Sequence, residues 1–544
     1  MTIRFALGHS LLKQFVRRSG HAFQRDNAQL QACQRQRLQT LLRAVAMTPL
    51  GQRRQIDDNW SWEQFADALP ETSYPDWQQS IVEQRMGGAG LIASPVTRYQ
   101  PTSGSTSAIK WIPYTRRFLG ELDQAISPWL LDLYQRFPAI QQGTHYWSLS
   151  WVPTSLRGEM RGQINDDMKL LSAGKRLIAT LTQSAPETIA EAESSEDSQF
   201  ATLAWLIADD RLSMLSVWSP TFALSMFEQM ARWRLELARC LTLGHWGERS
   251  ASLVSTRCPR DPLRAALLHE WNGKLEADFF AELWPQLVLV SAWDTASAGP
   301  WASKLRRLLP HADFQGKGLW ATEGVVTIPW GGQYPLAYRS HVYEFADADT
   351  GRVFPPWQLQ PDQEVVPLIS TGSGLLRYRM NDRLRVTGHF GAVPCFTFLG
   401  RNDGVDLVGE KLSSVMVQEV LDKQLYRPSE RPVTLLALDD ADGSGLPGYV
   451  LLLQSDRPFT VGNNQLARSL EQGLLTFFHY RLARDLGQLA PVRVLRATDM
   501  HQRYLDFCQR RGMVEGNVKI EPLRYWPGVQ LADIVPAQIM ETVA

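Results

Sequence analysis

Apolar residues near the start of the chain fall at helical spacing. Leu38, Leu41, Leu42 and Val45 stand at i, i+3, i+4 and i+7, which predicts an amphipathic helix. A second stripe, Ala223, Phe227, Met230, Trp233, Leu237 and Cys240, steps by three or four and stops at Gly244. It predicts one core-facing helix, closed by a residue that tolerates the left-handed turn found at helix ends. Continuous apolar runs at 287–290, 433–438 and 449–453 predict buried strands. The last two are separated by 439–448, rich in Asp, Gly and Pro, which predicts a turn between them. Strands mixed with helices through most of the chain predict an α/β architecture. The stretch 184–199 carries Glu187, Glu191, Glu193, Glu196 and Asp197 among serines and alanines, and reads as a solvated loop. The longest uncharged apolar stretch, 212–227, is shorter than the ~20 residues of a membrane span and is broken by Ser219-Pro220.

Composition narrows the class. With 544 residues the chain is long enough for several domains, since a domain takes ~100–200. Hydrophobic residues at 44% and charged residues at 21% exclude disorder and collagen-like repetition. Lys+Arg and Asp+Glu are both 56, so no global field draws in nucleic acid or an anionic membrane, and neither is expected as a partner. Only ten of the 56 basic residues are lysines. The five cysteines (Cys33, Cys240, Cys258, Cys395 and Cys508) are scattered and odd in number. That pattern predicts reduced thiols in the cytoplasm, without a disulfide framework or a cysteine zinc site. Arg4, Lys13, Arg17 and Arg18 make the N-terminus basic, but no long apolar core and small-residue cleavage site follow, so no secretory signal is expected.

Several chemical signals fall away. Gly88-Ala-Gly90-Leu-Ile-Ala93 spells the dinucleotide fingerprint, yet polar sequence precedes it and Pro95 follows. No G-x-S-x-G elbow or H-E-x-x-H pair is present, and the ten histidines do not cluster at metal-ligand spacing. The segment Thr102-Ser-Gly-Ser-Thr-Ser-Ala-Ile-Lys110 differs in kind. Small hydroxyl residues and a glycine in a row cannot fill a core, but they can present N–H and O–H groups to phosphate oxygens, with a lysine close by. It is not a Walker A loop, because the G-K-[ST] ending is missing.

That loop resembles the [ST]-S-G-[ST]-T-x-x-x-K loop of the acyl-adenylate-forming enzymes. Two later blocks carry the resemblance further. Residues 370–388 read Ser-Thr-Gly-Ser-Gly-Leu-Leu-Arg-Tyr-Arg-Met-Asn-Asp-Arg-Leu-Arg-Val-Thr-Gly, and 398–412 run from Phe398-Leu-Gly-Arg401-Asn-Asp403 to Gly409-Glu-Lys-Leu412. Together they are similar to the pattern of the GH3 acyl-acid amido synthetases, which join acids such as jasmonate and auxin to amino acids. Trp111-Ile-Pro113-Tyr-Thr115 follows the loop as I-P-x-T does in that family, and Tyr480-Arg481, Leu489-Ala-Pro491 and Arg511-Gly512 fall in order near the end. The resemblance spans roughly residues 25 to 525.

The resemblance implies a large N-terminal adenylate-forming domain, 1–400, with a barrel-like subdomain and mixed sheets flanked by helices. A small mobile α+β domain, 401–544, would follow. It implies an ATP-dependent ligase that uses Mg²⁺, converts a carboxylic acid to an acyl-AMP and passes the acyl group to an amine or amino acid. Two alternatives stay open: delivery to a thiol of coenzyme A or a carrier protein, and a degenerate nucleotide-binding sensor or scaffold. In the implied roles Ser103, Gly104, Ser105 and Thr106 cradle ATP phosphates with Lys110 beside them, and Thr322 and Glu323 form the x-T-E motif, with Glu323 as the Mg²⁺ carboxylate. Asp382 binds the ribose, Arg401 contacts the nucleotide, Asp403 is the hinge and Lys519 is the catalytic lysine. A monomer is expected. The chain departs from the family in four places: the loop from Gly104 to Lys110 is one residue shorter, Ala108 replaces the usual loop glycine, Leu319 stands where an aromatic should stack on adenine, with Trp320 beside it, and Ser413-Ser414 follow G-E-K-L where an acid is common. Nineteen tryptophans, among them Trp147, Trp151 and Trp218, suit a pocket for an apolar or aryl acid.

Overall fold

The stripe at 38–45 lies in the helix Leu30–Ala46, with Leu38, Leu41, Leu42 and Val45 all buried. Gln34, one turn earlier, fixes where that helix docks. Its Nε2 donates to the carbonyls of Tyr338 (2.7 Å) and His341 (3.0 Å), and its Oε1 accepts from the Tyr343 amide at 3.0 Å. The structure, a computed structural model, describes residues 2–102, 110–149, 151, 180–401, 404–405, 407–408, 410, 412–425, 430–441, 445–455, 462–485, 488–511, 513, 518, 520–526 and 528–535. These residues divide into two compact units, one ending at Leu399 and one beginning at Gly400.

In the first unit, β1 (Val96–Thr102) and β2 (Lys110–Thr115) form an antiparallel pair. A parallel sheet follows, with β3 (Thr144–Trp147), β4 (Leu212–Ser216), β5 (Leu289–Ala292) and β6 (Asp313–Gly316) in chain order. Parallel neighbours need long crossovers, and the helices Ser195–Ala208, Pro220–Arg232 and Gly299–Leu308 lie in them. β7 (Trp320–Ala321) and β8 (Gly324–Val325) make a small hairpin. The remaining strands form a six-stranded sheet: β10 (Val353–Phe354), β9 (Val342–Asp347), β11 (Glu364–Ser370), β13 (Asp382–Phe390) and β14 (Val393–Arg401) in that order, with β12 (Tyr378–Arg379) paired to β11.

Two expectations need correction. The stripe at 223–240 is not one helix. It is broken at Trp233, whose φ −94°, ψ 9° leaves helical geometry, into Pro220–Arg232 and Arg234–Leu243; Gly244 then closes the second at φ +69°. The stretch 184–199 is not a solvated loop. It contains a 3₁₀ turn, Glu187–Glu191, with Ile189 and Ala190 buried, and the start of the helix Ser195–Ala208. Its acids serve the helix: Glu196 and Asp197 occupy the first turn, Ser194 caps Asp197, and Arg249 bonds both carboxylates.

The second unit is built on β15 (Glu430–Leu438), β16 (Gly448–Ser455), β17 (Arg493–Ala497) and β18 (Leu523–Tyr525), ordered β17-β16-β15-β18. The two predicted strands are the antiparallel pair β15 and β16. Their unbroken apolar runs have a simple cause, since side chains alternate between two covered faces. Leu436, Leu438, Val450 and Leu452 pack with the helix Met500–Arg510. Leu435, Ala437, Leu451 and Leu453 pack with Ser414–Gln424 and Asn463–Leu474. Ser413 accounts for one departure from the family pattern, because its hydroxyl caps the first of these helices at the Met416 amide. All five cysteines are unpaired. Among the described residues no helix is long and apolar enough to cross a membrane.

Candidate active site

Thr322 and Glu323 are the two turn residues between β7 and β8, whose register pairs Ala321 with Gly324. Three tyrosines from distant parts of the first unit converge on this turn. Tyr114 of β2 donates its hydroxyl to the Thr322 carbonyl at 3.0 Å. Tyr378 of β12 reaches Glu323 Oε1 at 3.5 Å. Tyr74 receives the Trp111 amide on its hydroxyl at 2.8 Å, and Lys110 Nζ stands 5.7 Å from its ring centre. Burial pushes the Tyr74 and Tyr114 phenols up, and the negative charge of Glu323 adds to the rise. Tyr74 and Tyr114 therefore keep their phenol protons beside a carboxylate, and Tyr378 donates to it.

The turn is held from behind. His341 Nε2 accepts the Val325 amide at 3.3 Å, so its proton sits on Nδ1, which donates to Glu121 Oε2 at 2.9 Å. The same carboxylate oxygen takes the Gly372 amide at 2.7 Å, tying the Ser370–Gly374 block to the helix Arg116–Arg136 that carries Glu121. Thr72 pins the next residues: its Oγ1 accepts from Trp77 Nε1 and donates to the Leu376 carbonyl, and its backbone bonds Arg377 and Arg379. Arg377, at φ +48°, points away into the core. Its guanidinium forks onto Glu344 at 2.9 and 3.1 Å and also bonds the carbonyls of Ala66 and Leu69. Burial nonetheless holds the Glu344 carboxyl above the usual range, outweighing the arginine. Four residues beyond Tyr378's position, Asp382 heads β13, buried at 5% exposure.

The structure thus gathers Lys110, Thr322 and Glu323 through the three tyrosines and sets Asp382 just along the strand from one of them. Ser103, Gly104, Ser105, Thr106, Asp403 and Lys519 lie outside the described residues. The ends of the Ser/Thr/Gly loop are set, since Thr102 pairs with Lys110 across β1 and β2. Arg401 is the last residue of β14. Trp320 does not stand open for a base: its ring edges onto Trp129 and Trp218, and its Nε1 donates to the Thr327 carbonyl. Among the described residues no three His, Cys, Asp or Glu side chains group as a metal site. Glu323 is a part-exposed carboxylate, which fits Mg²⁺ held mainly by phosphate and water oxygens.

Sequence reasoning missed the supports. Glu121 and His341 are 220 residues apart, and Arg377 and Glu344 33 apart, so no local spacing signals either pair. In the second unit the glutamate of G-E-K-L, Glu410, is fully buried. It accepts the Leu407 and Val408 amides at 2.8 Å each and the Tyr449 hydroxyl. Also missed was Lys317, buried among tryptophans at the end of β6.

No curated protein matches the sequence significantly. Among solved structures the fold is similar to a GH3.15 acyl acid amido synthetase, at 16% identity over 95% of this chain and 93% of that one, with a TM-score of 0.74. It is likewise similar to the AtGH3.15 acyl acid amido synthetase in complex with 2,4-DB, at 18% identity over 95% and 94% and a TM-score of 0.71. At these identities the likeness speaks for the fold. Residues 20–314 match the GH3 family N-terminal domain and 334–401 the GH3 family central domain, flanking the Thr322–Glu323 turn on both sides. The chain belongs to the GH3 family.

Proposed function

We propose that the chain is an ATP-dependent acyl-acid amido synthetase that joins a carboxylic acid to an amine, in the first place an amino acid. The observation that carries the reading is the gathering of Tyr74, Tyr114 and Tyr378 around the Thr322–Glu323 turn, inside a chain of this family. In the first half-reaction a carboxylate oxygen attacks the α-phosphorus of ATP. An O–P bond forms, the α–β bridging bond breaks, and pyrophosphate leaves. In the second, the amine nitrogen attacks the acyl carbon, the bond to AMP breaks, and the amine proton goes to solvent.

Two anions must meet in the first step, so cations and fixed donors decide its rate. Lys110 and the Ser103–Thr106 segment hold the β- and γ-phosphates, and Asp382 and Arg401 hold the nucleoside. Glu323, set beside the phenols, holds Mg²⁺ through its carboxylate, and the ion neutralises polyphosphate charge when bound. Lys519 brings the acid carboxylate to the α-phosphate. The segment after residue 400 acts as the lid, turning at Asp403 between the two halves.

An ATP–pyrophosphate exchange screen over aryl and fatty acids tests the first half. Mass spectrometry of products formed with amino acids, hydroxylamine and coenzyme A in parallel tests the second. Folded protein that is silent across a broad acid panel overturns adenylation; a thioester in place of an amide overturns the acceptor.

A further inference from the structure

The C-terminal ends of the parallel strands β3 to β6 carry an unusual set of side chains. Lys317 follows β6 directly and is fully buried. Its Nζ lies 2.8 Å from Ser216 Oγ, at the end of β4. Around it stand four tryptophan rings, with centres 4.7 Å (Trp218), 5.3 Å (Trp129), 5.8 Å (Trp320) and 5.9 Å (Trp147) from the ammonium nitrogen. The rings meet edge to face, Trp129 against Trp147 and Trp320, and Trp320 against Trp218, so they form walls rather than a stack. A further serine lies on this face of the sheet. Ser291 in β5, which pairs with Ser216 across the ladder, is wholly buried, and among the described residues its hydroxyl has no hydrogen-bond partner. The box reaches the surface at Trp218 and its neighbour Trp293, both part-exposed and 5.6 Å apart.

Open parallel sheets bind ligands at the carboxyl ends of their strands. Here that edge offers flat apolar walls, one cation and one unspent hydroxyl. Buried hydroxyls without partners cost stability and recur where a ligand supplies the missing group. The cation is a lysine in a chain that uses arginine for most basic positions, and its compact ammonium fits between rings that a guanidinium would stack on. Lys317 also stands only six residues before Glu323, so the box and the candidate adenylation site are consecutive along the chain.

We propose that this tryptophan box is the acyl-acid specificity site, and that it selects planar aryl acids carrying an oxygen acceptor on the ring, which Lys317 and Ser291 bind. The inference rests on the amido synthetase reading for its use, though the binding it predicts can be measured without ATP.

Quenching of intrinsic tryptophan fluorescence by benzoate, 4-hydroxybenzoate and hexanoate, with the full chain and no ATP, reads the box alone. 4-Hydroxybenzoate should bind at least about tenfold more tightly than benzoate, the scale of one charge-assisted hydrogen bond, and hexanoate most weakly. Lys317→Met should remove the hydroxybenzoate preference and keep benzoate binding. Equal binding of the two aryl acids, preference for hexanoate, or a preference that survives Lys317→Met overturns the proposal. Should Lys317→Met not fold, Ser291→Ala serves. A merely structural role predicts a stabler protein with unchanged preference, whereas the proposal predicts loss of preference. Exchange assays with the same acids keep the two readings apart. Selective binding with no exchange refutes adenylation and leaves the box standing; exchange without selectivity does the reverse.

Discussion

Glu344→Gln removes the charge that faces Arg377 and leaves the guanidinium in place. The two side chains are only 3% and 6% exposed, so water cannot replace the lost partner. The carboxylate takes Nε at 2.9 Å and Nη2 at 3.1 Å; the amide offers one acceptor and turns a donor toward a cation. Stranding one charge of a buried pair costs about 3–5 kcal/mol. Arg377 bonds two further carbonyls, so the double variant Glu344→Leu, Arg377→Met loses those bonds but strands no charge, and should cost about 1–3 kcal/mol. Urea unfolding followed by tryptophan fluorescence measures both, compared at constant slope. The pH dependence gives an independent check. Burial raises the Glu344 pKa in the folded chain. Between the ordinary glutamate pKa and the raised one, the folded state therefore binds more protons than the unfolded state. This residue's contribution to stability accordingly falls as pH rises through that window and is steady above it. Glu344→Gln should abolish that slope. A single variant within about 1 kcal/mol of the parent, or a double variant no better than the single, refutes the reasoning.

Lys519→Ala should lose pyrophosphate exchange while its unfolding midpoint stays put; retained exchange removes that assignment. Glu323→Gln should lower exchange by about two orders of magnitude and raise the Mg²⁺ concentration needed for half-maximal rate, and an unchanged Mg²⁺ titration counts against the metal role. Tyr449→Phe takes the hydroxyl from the fully buried Glu410 and should destabilise the second unit by about 1–3 kcal/mol in urea, with no loss counting against Glu410 as its anchor.

Much of the candidate site was readable before the fold. Lys110, Glu323 and Asp382 sit in short motifs whose residues are contiguous, and the roles proposed for them on phosphate, metal and ribose each need only one turn or strand end. The strands at 433–438 and 449–453 were legible for a similar reason: a sheet covered on both faces leaves an unbroken apolar run. The acidic stretch at 184–199 was misread, since composition cannot tell a solvated loop from a capped helix start whose carboxylates meet an arginine some fifty residues on. The same limit hid the supports of the site.

What the sequence determined by itself is the class of chemistry, through motifs that carry their own geometry. What only the tertiary structure decided is which side chains share a space. Tyr74, Tyr114 and Tyr378 look like ordinary core aromatics along the chain, as do the four tryptophans around Lys317. They share a space because strand order and crossovers bring them together, and contacts between residues far apart in sequence leave no period to read.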